Sequence, residues 1–592
     1  MRLPLAVLAA AATTGLVAGL TAPAQAAPPR RPAPPPEVVV QDGETQPVFP
    51  IAQAVTQSVF VQTAVDSDSD GKPDRVHLTI TRPGPTDTGM KVASIVELSP
   101  YWSGIGDNPN HSVDIGPAPL APGSGDTLAR SSTLLAPSTQ EFYVTRGYAY
   151  VKAESIGSGQ SDGCPTTGDE QETLAGKAVV QWLTGAAKAF DAAGNPVTAG
   201  WSAGSVGMMG VSYNGTLPNM VATTGVAGLK TIVPISAISN WYSYYRANGA
   251  VLAPGGYQGE DADVLARAVL TRKNPEVCAA KMDAMEAAQD RVTGDYTPFW
   301  AQRDYVGKAA NVKASVFLTH GLTDWNVKSK QFAVWWDALA KAGVKRKLWL
   351  HPGGHGPSSA PAWSDAVHRW IDRYLYDVPN GIDTAPMVTI ERSSTSIANY
   401  ADWPDPAART TTYSLSPRKL GTSPGTPAIE SFTDVGKVIT AETLTTNPAA
   451  DAANRLGYVT TPVSAATRLS GTPSVTLKAS VDNATSGTLT AIVADYNPAN
   501  NQAVIVTRGW IDVRNRNGSA ATAPIQKGVQ YTYSFELQPK DYVFAAGHQI
   551  ALVVISTDHD YSLRPDIGTK VSLCLASSAL RLPLVPPLPT HH

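Results

Sequence analysis

Three residues could together do nucleophilic chemistry. Ser212 lies in Gly207-Met-Met-Gly210-Val-Ser212-Tyr213-Asn214-Gly215-Thr216, directly after an apolar run and before a helix-compatible one. A serine on a tight strand-to-helix turn stands clear of the sheet edge, and small neighbours relieve the crowding that the turn creates. The helix that follows would aim its N-terminus and unpaired amides at charge developing beside the serine. A serine hydroxyl also needs a base, and the base needs a carboxylate to orient it. Asp324 follows ASVFLTHG in the loop LTDWNV, and His355 follows the next apolar run in HPGGHGP. This set suits acyl transfer through a serine. The serine motif alone is weak, because Asn214 stands where the second glycine of G-x-S-x-G belongs and Gly215 comes one place later. The order Ser, Asp, His, each just past a strand end, supplies the rest of the case.

The other histidines fit structural roles better. His351 ends its own strand, and His320 precedes the aspartate loop. His351 and His355 are four apart, but Pro352-Gly353-Gly354 prevents the helix that would put both on one metal-binding face. No metal is expected there.

Such a constellation has to be positioned by a sheet. Apolar strand candidates are 76–83, 92–99, 147–154, 206–212, 229–237, 314–321 and 346–353, with helical patterns such as TLAGKAVVQWLTG and SKQFAVWWDALAKAG between them. Alternation of that kind, with nearly continuous apolar strands, predicts a mostly parallel sheet covered on both faces. The order of the three residues is that of an α/β-hydrolase catalytic domain, predicted over 51–385. Residues 240–310 break the alternation: they are helix-prone, contain no convincing strand, and read as a helical cap over the strand ends. From 386 to 592, short Thr/Val/Ser-rich runs recur between Gly, Pro and Asn turns, which predicts an all-β jelly-roll domain.

The chain has 592 residues, and its 16% charged and 43% apolar residues exclude wholesale disorder. A formal net charge of −3 gives no reason to expect nucleic acid or an anionic membrane as partner. Gly 49 and Pro 47 point to many loops and short strands. Residues 1–26 read as a secretory signal, with Arg2, an apolar stretch and Ala24-Gln25-Ala26 ahead of Ala27; residues 27–50 form a Pro-rich leader. No membrane association is expected after cleavage near Ala26. Export permits a disulfide, and Cys164 with Cys278 is the preferred pairing, leaving Cys574 free in VSLCLA. The loop from Asp66 to Asp74 has carboxylates at alternate positions and a glycine at the sixth, like the first half of a calcium loop, but its twelfth residue is His77. A solvated hairpin turn is the simpler reading.

The runs GVSYNGT, ISAISNWYSYYRANG, GYQGEDADVLAR, HGLTDWNV and HPGGHG resemble the secreted Xaa-Pro dipeptidyl-peptidases, in the serine-hydrolase family that also contains cocaine esterase and the α-amino-acid ester hydrolases. The resemblance spans most of the mature chain. It implies an α/β-hydrolase with helical cap and a C-terminal jelly roll, G-x-S-Y-x-G as the nucleophile motif, and Ser212, Asp324 and His355 as triad. It also implies an oxyanion hole from the Tyr101 hydroxyl and the Tyr213 N–H. By the same resemblance, Trp241 and Tyr244 form a proline pocket with Tyr245 and Val327 as neighbours. Glu260 anchors the substrate α-ammonium, with Asp261 and Asp263 as nearby alternatives. Aromatic faces suit a proline ring, and a buried acid suits an ammonium.

The expected function is that of an exported serine exopeptidase acting on peptides with proline at the second position, through an acyl-enzyme and without a metal or organic cofactor. An ester or acyl hydrolase with the same triad is the alternative, because the elbow serves both reactions and the pocket decides between them. A secreted carbohydrate-binding protein acting through its β domain is a third reading. The oligomeric state is not legible in the sequence.

Overall fold

The apolar runs that alternate with helices assemble into one twelve-stranded sheet. The computed structural model describes residues 37–115, 134–393 and 395–586, so the expected signal segment and the start of the leader lie outside the described residues. The central strands are Val388–Ser393, Arg346–His351, Ser315–Gly321, Leu229–Ile235, Ser202–Val211, Val92–Ser99 and Ala149–Glu154, in that spatial order and all parallel. Antiparallel strands extend both edges.

Both sheet faces are covered, which is why the strands read as unbroken apolar runs. Val96, Met208, Ile232 and Val316 share one core with the helices Glu170–Leu183, Tyr213–Ala222 and Lys330–Lys341. Their sequence neighbours Ile95, Met209, Val233 and Phe317 face the opposite core, with the helix Pro361–Leu375. The parallel order brings the C-terminal ends of Ser202–Val211, Ser315–Gly321 and Arg346–His351 to one edge, and each end leads into a loop that carries a candidate residue.

Three expectations need correction. The α/β sheet does not stop at 385, because Val388–Ser393 and Ser396–Tyr400 complete its edge. Part of the expected leader is also docked on the catalytic domain: Thr45 N donates to Asp372 Oδ2 at 2.7 Å and its side chain is buried. The cap does contain strands. Arg246–Ala247 and Ala250–Val251 pair as a hairpin around Asn248 and Gly249, at φ 47° and 80°, the Asn-Gly turn that such a two-residue connection favours.

The longer helices of the cap are Ala262–Val269 and Ala279–Ala288. A disulfide between Cys164 and Cys278 ties it to the loop after Ala149–Glu154, and Cys574 is free. The loop from Asp66 to Asp74 joins two antiparallel strands, Val55–Gln62 and Arg75–Arg82. Its converging carboxylates accept from the protein itself: Asp66 from the amides of Asp70 and Gly71, Asp68 from Arg272, and Asp74 from Ser67.

The C-terminal region is a jelly-roll-like β domain. Its long strand Lys570–Val585 pairs with Arg409–Ser416 and Thr467–Gly471, and also with Ile429–Thr433 and Ser474–Val481. Side chains such as Leu415, Leu477, Leu552 and Leu580 fill its interior. Among the described residues no helix is long and apolar enough to cross a membrane.

Candidate active site

The strand Ser202–Val211 turns into the helix Tyr213–Ala222 through Ser212, at φ 63° and ψ −126°. A non-glycine residue so placed stores backbone strain that its surroundings must hold. The surroundings are tight: a Cβ on Gly210 would lie 2.4 Å from Asn214 O, and one on Gly215 would lie 2.7 Å from Gly210 O. The close approach therefore falls on Gly215, which is why asparagine is tolerated at 214. Gly215 N and Thr216 N donate to Ser212 O at 3.0 and 2.8 Å, while the Tyr213 N–H is a first-turn amide with no helical carbonyl behind it.

A buried glutamate that the sequence reading missed locks this turn. Glu172 accepts from the Tyr213 hydroxyl at 2.7 Å, from Ser155 Oγ at 2.5 Å and from Gly168 N at 2.8 Å. Burial raises its carboxyl, and burial together with this acid pushes the Tyr213 phenol far up, so the phenol stays a donor. In the sequence Glu172 looks like an ordinary acid in the first turn of a helix.

His355 and Asp324 meet from neighbouring loops, with Nδ1 2.8 Å from Asp324 Oδ2. Asp324 Oδ1 accepts from the amides of Asn326 and Val327 at 3.0 and 2.9 Å, which fixes the carboxylate plane. Burial works to raise Asp324, but the His355 charge and these hydrogen bonds hold it below the ordinary carboxylate value. His355 Nε2 is buried and has no hydrogen-bond partner among the described residues; such catalytic contacts commonly close only when substrate is bound. His320 Nε2 donates to Val327 O and His351 Nε2 to Gly356 O, at 2.9 and 3.1 Å, and burial lowers His320 to about 4. Both histidines are bonded to backbone carbonyls.

Ser212, Tyr213 and His355 open onto one narrow cavity of about 60 Å³, shared with Tyr101, Trp241, Tyr244 and Glu260. Trp241 is held by Tyr305, its Nε1 donating to the phenol at 2.8 Å, and its ring meets those of Tyr213 and Tyr244 at 5.0 and 5.7 Å. Tyr245 stands behind this wall, stacked on Trp241 and donating to Glu260 Oε1 at 3.0 Å. Asp261 does not join the cavity: it caps the helix Ala262–Val269 and pairs with Arg246 and Arg291 at 2.8 and 2.7 Å. Asp263 is bonded to His111 and Gln289. Val327 is buried within the loop that carries Asp324 and does not line the cavity. Asn326 was missed; its Oδ1 accepts from the Tyr244 hydroxyl at 2.7 Å and joins the aromatic wall to the acid loop.

Residues 70–357 match the family described as X-Pro dipeptidyl-peptidase (S15 family), and residues 380–582 match its C-terminal non-catalytic domain. A putative Xaa-Pro dipeptidyl-peptidase of Bacillus cereus is 48% identical over 558 residues, covering 93% of both chains. The chain belongs to the S15 X-Pro dipeptidyl-peptidase family. The Xaa-Pro dipeptidyl-peptidase of Lacticaseibacillus rhamnosus is 34% identical, over 92% of this chain and 78% of that one. Among solved structures, an α-amino acid ester hydrolase superposes with a TM-score of 0.63 at 16% identity, over 94% of this chain and 100% of that one. A CocE/NonD family hydrolase from Staphylococcus aureus gives 0.65 at 16%, over 90% and 97%. These two show the shared α/β-hydrolase fold with its β domain.

In this S15 chain the β domain packs against the loop that carries Asp324. Lys540 is buried and donates to Leu322 O in the acid loop, and its ammonium lies 4.6 Å from the Trp325 ring centre. Arg508 lies 4.8 Å from the same ring, and Ser329 Oγ donates to Pro539 O at 2.7 Å. The loop that carries Asp324 therefore rests on the β domain. Neither Lys540 nor Arg508 was singled out in the sequence, because nothing local marks a cation on a strand far along the chain as a neighbour of Asp324.

Proposed function

We propose that this chain is a serine exopeptidase that releases Xaa-Pro dipeptides from free peptide N-termini through an acyl-enzyme. The observation that carries the reading is the single cavity in which Ser212, the Asp324-linked His355, an aromatic wall and the buried acid Glu260 converge. Ser212 Oγ attacks the carbonyl of the second residue while His355 takes its proton and passes it to the leaving nitrogen. Asp324 orients the imidazole and stabilises its charged form. The Tyr101 hydroxyl and the Tyr213 N–H receive the oxyanion, a role suited to preorganised donors in a dry pocket. Trp241 and Tyr244 offer flat apolar faces to a proline ring, and Glu260 pairs with the α-ammonium, which limits attack to the second residue from a free N-terminus. Water then hydrolyses the ester.

Hydrolysis of Ala-Pro anilide tests this reading. Release of aniline that is lost in Ser212→Ala and in the N-acetylated substrate is the expected result. Equal turnover of the acetylated substrate would sink it in favour of a general ester or acyl hydrolase. Export belongs to the same proposal, on the strength of the first 26 residues, and the Cys164–Cys278 bond accords with an oxidising compartment.

A further inference from the structure

Two clefts meet at His355. One is the narrow cavity with Ser212 and Glu260; the other, about 510 Å³, lies between Gly255 and Gly256 of the cap, Trp325 of the acid loop, and Asp560 and Tyr561 of the β domain. Asn326 and His355 line both. If the dipeptidyl-peptidase reading above holds, the chemistry decides which half of the substrate each cleft receives. The acyl half lies against Ser212 and Glu260. When the C–N bond breaks and the Ser212 ester forms, the serine proton travels through His355 to the leaving nitrogen, so the departing chain must emerge beside the imidazole and away from Glu260. The second cleft is the space that adjoins His355 there.

We propose that this cleft binds the first two residues of the leaving peptide and favours a basic side chain among them; the inference rests on the dipeptidyl-peptidase reading. Its walls suit a peptide. Trp325 and Tyr561 form an aromatic pair with ring centres 5.9 Å apart. Gly255 N is bonded to Trp325 O at 2.9 Å, and Gly256 has nothing within 4 Å of where a Cβ would stand, so backbone faces the cleft on that side. The charge comes from Asp560. Asp324 also lines the cleft but is bound to His355, whereas the Asp560 side chain is 42% exposed. Among the described residues its contacts are His559 Nδ1 at 2.7 Å and Gln258 Nε2 at 3.4 Å, which leaves room for a cation. Arg564 is engaged with His559 Nε2 at 2.9 Å, and Arg508 and Lys540 do not line the cleft.

The test compares Ala-Pro-Arg-Ala with Ala-Pro-Glu-Ala in the full chain, each kcat/KM divided by that for Ala-Pro anilide, which has no residues to reach Asp560. The wild type is expected to prefer the arginine peptide by about threefold to tenfold at low salt, the scale of exchanging the attraction of a partly exposed ion pair for the repulsion of two like charges, with the preference shrinking as salt rises. Asp560→Asn should abolish the preference and Asp560→Lys should reverse it. A ratio that stays within twofold of wild type in both variants, or no preference in the wild type, overturns the proposal. Failure of the underlying reading looks different: the wild type would then cleave none of the three substrates, or would cleave N-acetyl-Ala-Pro anilide as fast as Ala-Pro anilide.

Discussion

Replacing Lys540 by methionine separates what the β domain does for stability from what it does for the acid loop. The ammonium is buried, donates to Leu322 O, and burial lowers it to about 7 against the attraction of Asp324, with Arg508 adding repulsion. An unfolded lysine titrates near 10.5. Between these values the unfolded chain holds a proton that the folded chain has lost, so stability rises with pH there. The penalty is full below pH 7 and is relieved as pH climbs toward 10.5. At about 1.4 kcal/mol for each tenfold change in proton concentration, the gain from pH 7 to 9.5 is about 3 kcal/mol for this one group. Lys328, buried, donating to Tyr244 O and also lowered to about 7, adds a second increment of the same sign. Methionine keeps the apolar stem and removes the titration, but it leaves the Leu322 carbonyl without its donor, which costs about 1–3 kcal/mol. Lys540→Met should therefore be at least as stable as wild type at pH 7 and less stable at pH 9.5. Its kcat on Ala-Pro anilide should fall about tenfold to a hundredfold with little change in KM, because a displaced Asp324 misorients the imidazole without touching the substrate pocket. Urea unfolding at both pH values, followed by tryptophan fluorescence, reads the first effect and steady-state kinetics reads the second. An unchanged pH slope would show that Lys540 does not titrate in this range. An unchanged kcat would show that the catalytic domain holds the acid loop unaided.

Two further outcomes are expected, one from the geometry of the site and one from the sequence of residues 1–26. Glu260→Gln should lower kcat/KM for free-amine dipeptide anilides by about tenfold to a hundredfold, the loss expected for a hydrogen bond between charged groups, and mostly through KM; unchanged kinetics would remove Glu260 from the amine site. N-terminal sequencing of the protein recovered outside the cells should begin at Ala27, and retention inside the cells with Met1 in place would refute export.

The strands were legible because each is buried on both faces, so the apolar run is continuous and short. The continuation of the sheet past 385 was not legible for a related reason. The edge strands Val388–Ser393 and Ser396–Tyr400 carry Ser, Thr and Asn, a composition that also suits the β domain behind them. The cap hairpin was overlooked because its strands are two residues long and only Asn248-Gly249 announces them.

Local order along the chain was enough to name Ser212, Asp324 and His355 as candidates and to read the fold, because a parallel sheet delivers the ends of successive strands to one edge. Resemblance then pointed to Tyr101, Trp241, Tyr244 and Glu260. Tertiary structure decided which acids face the cavity. Asp261 carries the same charge as its neighbour Glu260, yet two arginines claim it, and Asp263 is taken by His111 and Gln289. It also decided what lies around the acid loop. Lys540, Arg508 and Asp560 sit on β-domain segments hundreds of residues from Ser212, and only the packing of one domain on the other brings their charges beside Asp324 and His355. Charge acts through space, and sequence distance does not encode that proximity.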